Sequence, residues 1–425
     1  MYHYKSYAGY FGAISIILFS FLLLYLRSTN IIPHITYSLV FSIVGLAFLS
    51  MLISEYFMKR RYNKKHNYKV IYKRLDNSLL YIFKSSLLRF LALFLPFLFF
   101  YLLIENHYYF LHNKLFDSTR LLADYLLYIF LILGFPYIFL TLLFRGDKRY
   151  EFGDYAILTI VAIKSLVKSI LQKGYSHTFH KNRRVKKVWL LYIVNFFFLS
   201  LMGRFIVIEF QGFEREFFTI GSTLYYQMNW YEQYRHWYLI IFHLIFTIDV
   251  SIGIIGYSFA SRWLDNRTKS VDTTMSGWVV ALLCYPPLNT GFTAQFISYG
   301  GLDTHYVITD PHYMTVILLL LILLYSIYVW STIALGFKFS NLTNRGIVDF
   351  GPYKYVRHPA YISKNLSWWI DNTYVLSNVW ALIAMALWNS IYISRALTEE
   401  RHLKKDNAYE NYAKKVKYRF IPKII

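Results

Sequence analysis

Eight apolar runs, each about long enough to cross a bilayer as a helix, constrain this chain more than any other feature. They cover 8–26, 33–54, 86–104, 122–144, 188–208, 237–259, 276–298 and 313–336. The hydrocarbon core offers no water, so every backbone N–H and C=O inside it must be satisfied within a helix. The fold class follows: an all-α, polytopic helical membrane protein. Composition agrees, because 56% of the residues are hydrophobic and only 16% are charged, far from the balance of a soluble domain. Two further apolar pieces, 360–371 and 375–394, bring the expectation to about ten transmembrane helices. The last two would form a C-terminal hairpin that leaves and rejoins one membrane face, with its bend at Asp371, Asn372 and Thr373. Pro286 and Pro287 fall inside the seventh run, which is therefore expected to kink or break. Segment 154–172 sets Lys164 and Lys168 among apolar residues at helical spacing, the pattern of an interfacial helix and not of a span. The region before residue 8 lacks the basic stretch and small-residue cleavage site of a signal peptide, so 8–26 reads as the first span.

Loop charges orient the spans. Residues 56–74 carry eight Lys/Arg and no acid, and 173–187 carry six and no acid. Residues 206–236 instead hold Glu209, Glu214, Glu216 and Glu232, and 288–312 hold Asp303 and Asp310 with no Lys or Arg. The positive-inside bias then places both termini and the stretch 340–357 in the cytoplasm, as in a multi-pass protein of a bacterial inner membrane. A formal charge of +22 would suit nucleic acid, but the cations cluster in short inter-span loops where lipid headgroups and orientation account for them. No nucleic-acid partner is expected. The lone cysteine, Cys284, excludes a disulfide framework and a cysteine metal site, and no metal is expected.

Two polar clusters flank the hairpin. The first is "GPYKYVRHPAY", 351–361, where Pro359 suits the first turn of a helix. That helix would aim its free amides at the interface beside Arg357 and His358, a receptor for carboxylate or phosphate. The second is "SRALTEERHL", 394–403, where Arg395, Glu399, His402 and Leu403 share one helical face and Glu400 lies about 100° away. A salt bridge from Arg395 to Glu399 would offset the cost of a guanidinium near the bilayer. If the hairpin is tight, the clusters enclose a pocket with a basic wall and an acidic wall, roofed by Tyr353, Tyr355, Tyr361 and Trp368. Such a pocket suits a zwitterionic cofactor with a cationic centre.

These motifs, with "LGFKFS" before them and "YENYAKKVKYRFIP" after, resemble the isoprenylcysteine carboxyl methyltransferase and phospholipid methyltransferase superfamily. The matching positions are Gly351, Tyr353, Arg357, His358, Pro359 and Tyr361, then Arg395, Glu399, Glu400 and Leu403, then Tyr409, Tyr412 and Pro422. The glycine often found soon after the last tyrosine of the first motif is absent here. The resemblance implies an S-adenosyl-L-methionine-dependent methyltransferase acting on a lipid or isoprenoid-linked acceptor, whether carboxylate, amine or hydroxyl. Cofactor contacts would come from Tyr353, Arg357, His358, Pro359, Tyr361, Glu399 and Leu403. Arg395 would orient the acceptor, and Glu399 or Glu400 would serve as base for an amine. The implied division is a methyltransferase-like region at 332–425, behind a membrane domain of unassigned role at 1–331.

Two other readings stay open at this point. A sterol-reductase-like enzyme using NADPH would also place its site at the C-terminus. A non-enzymatic lipid-binding or transport protein would make use of Asp249 and His243 in the sixth run.

Overall fold

Short polar side chains set where the long helices begin. Thr36 accepts from the Leu39 amide and Ser78 from the Tyr81 amide. Asn229 and Glu232 form a reciprocal capping box, and Asp310 accepts from the amides of His312 and Tyr313 ahead of Pro311. Each cap satisfies donors that a helix start would otherwise leave bare at the membrane edge. The computed structural model describes residues 4–66, 78–145, 155–171, 183–290, 310–371 and 379–422. Its principal helices are α1 (Ala8–Ser28), α2 (Tyr37–Lys65), α3 (Leu79–Asn106), α4 (Asp117–Arg145), α5 (Tyr155–Leu171), α6 (Arg183–Ile220), α7 (Trp230–Ser258), α8 (Met275–Leu282), α9 (Pro311–Leu335), α10 (Pro359–Asp371), α11 (Val379–Leu403) and α12 (Asn407–Lys415).

Among the described residues, eight helices are long and apolar enough to cross a membrane: α1, α2, α3, α4, α6, α7, α9 and α11. The protein is a polytopic helical membrane protein. The other two expected spans are short helices. The seventh run stops at Leu282, four residues before Pro286, because paired prolines remove donors and push the residue ahead of them out of the helical region. The first hairpin arm, α10, has 13 residues, about 20 Å of helix. The expected bend at Asn372 and Thr373 lies outside the described residues, as do 67–77, 172–182 and 291–309 of the loops used for orientation.

Helix α7 is the central post. In its apolar window 67% is buried, against 11% for α4, which turns residues such as Ile132 and Leu133 outward. Packing against α6 and α9 buries Ile245, Ile248, Ile252 and Ile255 of α7. Asp249 is also buried there, accepting from Tyr328 at 3.0 Å and Thr332 at 2.5 Å on α9. His243 pairs with Glu209 of α6 at 2.8 Å. Both residues thus join helices, each contact contributing about 1 kcal/mol in such a setting.

The helix ends separate into two faces. At one face the start of α1 meets the end of α9, where Gly9 lies against Gly336. Lys59 near the end of α2 donates to the Trp263 carbonyl at 2.9 Å, and Tyr137 near the end of α4 donates to Ser261 at 2.9 Å. The starts of α5 and α6 come together with Thr268 and Lys269 at this same face. Helix α5 therefore adds no crossing between α4 and α6. Glu214, near the end of α6, pairs with Arg27 at the opposite face. The helix ends that lead into the two basic loops thus share a face with 340–357.

Gly9 fixes how closely α1 can approach α9. A methyl group there would collide with the Ile333 carbonyl oxygen, whereas one on Gly45 would meet nothing within 4 Å. Gly9→Ala is expected to destabilise the protein by about 1–3 kcal/mol, and Gly45→Ala to leave it unchanged or gain up to about 1 kcal/mol. Unfolding of the purified variants in mixed micelles measures both. Equal stabilities would remove the α1–α9 contact from the account.

Candidate active site

Helix α10 starts at Pro359, as the sequence leads one to expect, and the end of α11 lies beside it. What fills the space between them is a carboxylate of the chain itself. Glu400, 2% exposed, receives His358 Nε2 at 3.2 Å and lies 3.3 Å from Arg357 Nε on one oxygen. Arg419 Nε donates to its other oxygen at 3.2 Å. The tail closes over this cluster, for the Arg357 and His358 amides donate to the carbonyls of Tyr418 and Arg419 at 3.0 and 2.9 Å. The anion that a helix start and an Arg-His pair call for is supplied from within.

The neighbouring carboxylate points elsewhere. Glu399 accepts from the Tyr361 hydroxyl at 2.6 Å and lines a cavity between α10, α11 and two segments distant in sequence. One of these is the turn from Asp272 into α8, and the other is the strand-like stretch Asn341–Thr343. A two-residue antiparallel ladder joins them, β1 (Ser270–Val271) with β2 (Thr343–Asn344), pairing Ser270 with Asn344 and Val271 with Thr343. Asp406, just past α11, pins the ladder by accepting from Lys269 Nζ and Asn344 Nδ2, each at 3.0 Å. Burial alone would raise its pKa; these hydrogen bonds and that from the Ala408 amide outweigh burial and hold it below the usual carboxylate range. Gly277 is required where α8 abuts Asp272, since any side chain there would strike the carboxylate.

Arg395, 6% exposed, lies at the inner end of this cavity. Its partner is not Glu399, as helical spacing led one to expect. The guanidinium donates to the Tyr285 hydroxyl at 3.0 Å and to Asn341 Oδ1 at 2.7 Å. It also lies 5.1, 5.0 and 5.9 Å from the ring centroids of Tyr285, Tyr361 and Tyr392. Each such cation–π contact is worth roughly 0.5–2 kcal/mol, enough with the two hydrogen bonds to hold a cation here without a carboxylate.

Of the residues expected to form the site, Tyr361, Arg395, Glu399 and Leu403 line this cavity. His358 stacks on Tyr361, with centroids 5.3 Å apart and planes 7° apart, and with Arg357 and Pro359 it backs the cavity wall. Tyr353 lies behind them, packed on Tyr409 and Tyr412, and accepts through its carbonyl from Tyr412 at 2.8 Å. Tyr355 is exposed and forms no roof. Trp368 packs deeper in the hairpin, on Trp388 and Tyr392. Sequence reasoning missed Asp272, Tyr285, Asn341 and Thr343, and treated His402 only as a helix-face neighbour. Two of these carry buried polar atoms with no hydrogen-bond partner among the described residues, Asn341 Nδ2 and His402 Nδ1. His402 Nε2 is engaged by Ser270 Oγ at 3.1 Å.

The Glu400 cluster makes a stability prediction. Glu400→Ala leaves buried cationic groups without their anion and is expected to cost about 3–5 kcal/mol. Arg419→Ala, whose side chain is 36% exposed, is expected to cost about 1 kcal/mol or less. Unfolding in mixed micelles, with limited proteolysis of the tail, reads both effects. A Glu400→Ala protein as stable as the parent would contradict this role.

Comparison with known proteins points to the same region. No curated protein and no solved structure matches the chain. Residues 308–405, from the cap of α9 through α11, match the model of the isoprenylcysteine carboxyl methyltransferase (ICMT) family. The C-terminal region, carrying Tyr361, Arg395 and both glutamates, is thus similar to a family of carboxyl methyltransferases.

Proposed function

We propose that this protein is an integral membrane methyltransferase that uses S-adenosyl-L-methionine to methylate a lipid or isoprenoid-linked acceptor at the cytoplasmic face of a bacterial inner membrane. The observation that carries the reading is the pair of unsatisfied buried groups, Asn341 Nδ2 and His402 Nδ1, in one cavity with Glu399. A donor, a ring nitrogen and a carboxylate suit a ligand with a carboxylate, an ammonium and ribose hydroxyls. The residues present fit that cofactor. When bound, S-adenosylmethionine supplies an already activated methyl group.

The chain's own residues do the rest. Tyr361, Asn341, His402 and Leu403 hold the cofactor, while Tyr353, Arg357, His358 and Pro359 set the wall behind it. Arg395, facing Tyr285 and Asn341 at the membrane side, orients the acceptor. For an amine acceptor Glu399 takes the proton, having one oxygen not engaged by Tyr361. Glu400, with both oxygens committed to cations, serves as a positioning residue. Residues 332–425 form the catalytic region. Residues 1–331 act as its scaffold and lend the Asp272–Ala281 wall. The basic helix ends on the site's face support its cytoplasmic location.

Calorimetric titration with S-adenosylmethionine, beside a labelled-methyl assay on membrane lipid extract, tests the reading. Asn341→Ala and His402→Ala are each expected to weaken binding about three- to tenfold. Arg395→Lys keeps the charge and loses the planar fork, so binding should hold within a few-fold while transfer falls by more than about tenfold, or about 1.4 kcal/mol. Sealed inverted vesicles should use added cofactor, and right-side-out vesicles should not. Absence of binding by the parent protein would overturn the reading.

A further inference from the structure

The cavity wall that precedes the family match at residues 308–405 carries a carboxylate, Asp272. Asp272 is 2% exposed and lines the cavity together with Glu399 and His402. Its backbone is fixed at both ends, because the amide donates to the Leu342 carbonyl at 2.8 Å and the carbonyl accepts from Trp278 Nε1 at 2.7 Å. One side-chain oxygen is also committed. Oδ1 accepts from the Thr274 amide at 2.9 Å and from Thr274 Oγ1 at 2.8 Å, the turn that an Asp-x-Thr order favours ahead of a helix. Oδ2 alone accepts no hydrogen bond among the described residues. Gly277 keeps the space beside it clear, since a methyl group there would collide with this oxygen. The carboxylate is thus held rigid with one oxygen to spare.

An ionised carboxylate can only accept, so what completes Oδ2 is a donor, and a buried acceptor left unmade is costly. We infer that Asp272 Oδ2 accepts from a ribose hydroxyl of the adenosyl cofactor and sets the site's selectivity for ribose over deoxyribose. Charge separates a hydroxyl from an ammonium here. Arg401 Nη2 already faces Oδ2 at 3.9 Å, and it is held in place by Thr274 Oγ1 at 2.6 Å and Ser276 Oγ at 3.1 Å. A second cation beside Arg401 would be repelled by it. Glu399 makes no ion pair among the described residues and is the stronger draw for a cationic group. A neutral hydroxyl at Asp272 gains a charge-assisted hydrogen bond without that repulsion. The two carboxylates of the cavity therefore divide the ligand, with neutral donors at Asp272 and positive charge at Glu399.

This inference rests on the proposed use of S-adenosylmethionine and is tested by binding alone. The full-length protein in detergent is titrated calorimetrically with S-adenosylhomocysteine and with the two analogues that each lack one ribose hydroxyl. The parent should bind at least one analogue about tenfold more weakly than S-adenosylhomocysteine, or about 1.4 kcal/mol. Asp272→Asn keeps an oxygen for Thr274 but loses the charge, and it should bring that ratio to within about threefold. Asn341→Ala should weaken all three ligands by a common factor and keep the ratio. Equal binding of all three by the parent would overturn the inference, and that comparison needs no variant. An Asp272→Asn protein that keeps the parent's ratio, whatever its overall affinity, would also overturn it and return Asp272 to a structural role. Failure of the parent to bind S-adenosylhomocysteine at all would overturn the methyltransferase reading and this inference with it.

Discussion

The buried carboxylate of Glu400 ties together three parts of the chain. It lies at the end of α11, and its oxygens face Arg357 and His358 at the start of α10 and Arg419 in the tail. Adjacent residues on a helix point about 100° apart. Once Glu400 is committed to the cations, Glu399 turns toward Tyr361 and the cavity, and Arg395, one turn earlier, reaches Tyr285 and Asn341. The position of the site is thus a consequence of one ion cluster. Desolvating a carboxylate is costly, and the cost is offset only because several donors converge on it.

A second constraint comes from the membrane. Inside the bilayer each polar side chain must find a partner on another helix or carry a function. Asp249, His243 and Arg395 find partners: the first two join α7 to α9 and α6, and the third ties α11 to Tyr285 beyond α8 and Asn341 beyond α9. Lys364 lies over the rings of Tyr328 and Trp368, with the Asp249 carboxylate as its opposite charge.

Much of the fold could be read from the residues. Apolar length located the eight long helices, the proline pair stopped the seventh run, and Pro359 marked the start of α10 because its missing N–H is harmless only there. The wall formed by Asp272, Asn341 and Thr343 could not be read. A two-residue ladder has no periodicity, and its strands lie more than seventy residues apart in sequence. The partner of Arg395 was misjudged for a related reason. Spacing of four puts Arg395 and Glu399 on one face, but an arginine preceding its glutamate is the weaker order, and the long side chain reached polar groups that only tertiary packing brings near. Of the two adjacent glutamates, helical geometry showed that they diverge, while the choice of which faces the cavity depended on Arg419, twenty residues on.

Photo-crosslinking of S-adenosylmethionine carrying a tritiated methyl group, followed by peptide mapping of the full-length protein, tests the central claim most directly. The account predicts label on peptides from 339–361 and 395–404, suppressed by excess unlabelled cofactor and absent from α1 through α6. Saturable label confined to residues 1–220, or no saturable label at all, would contradict it.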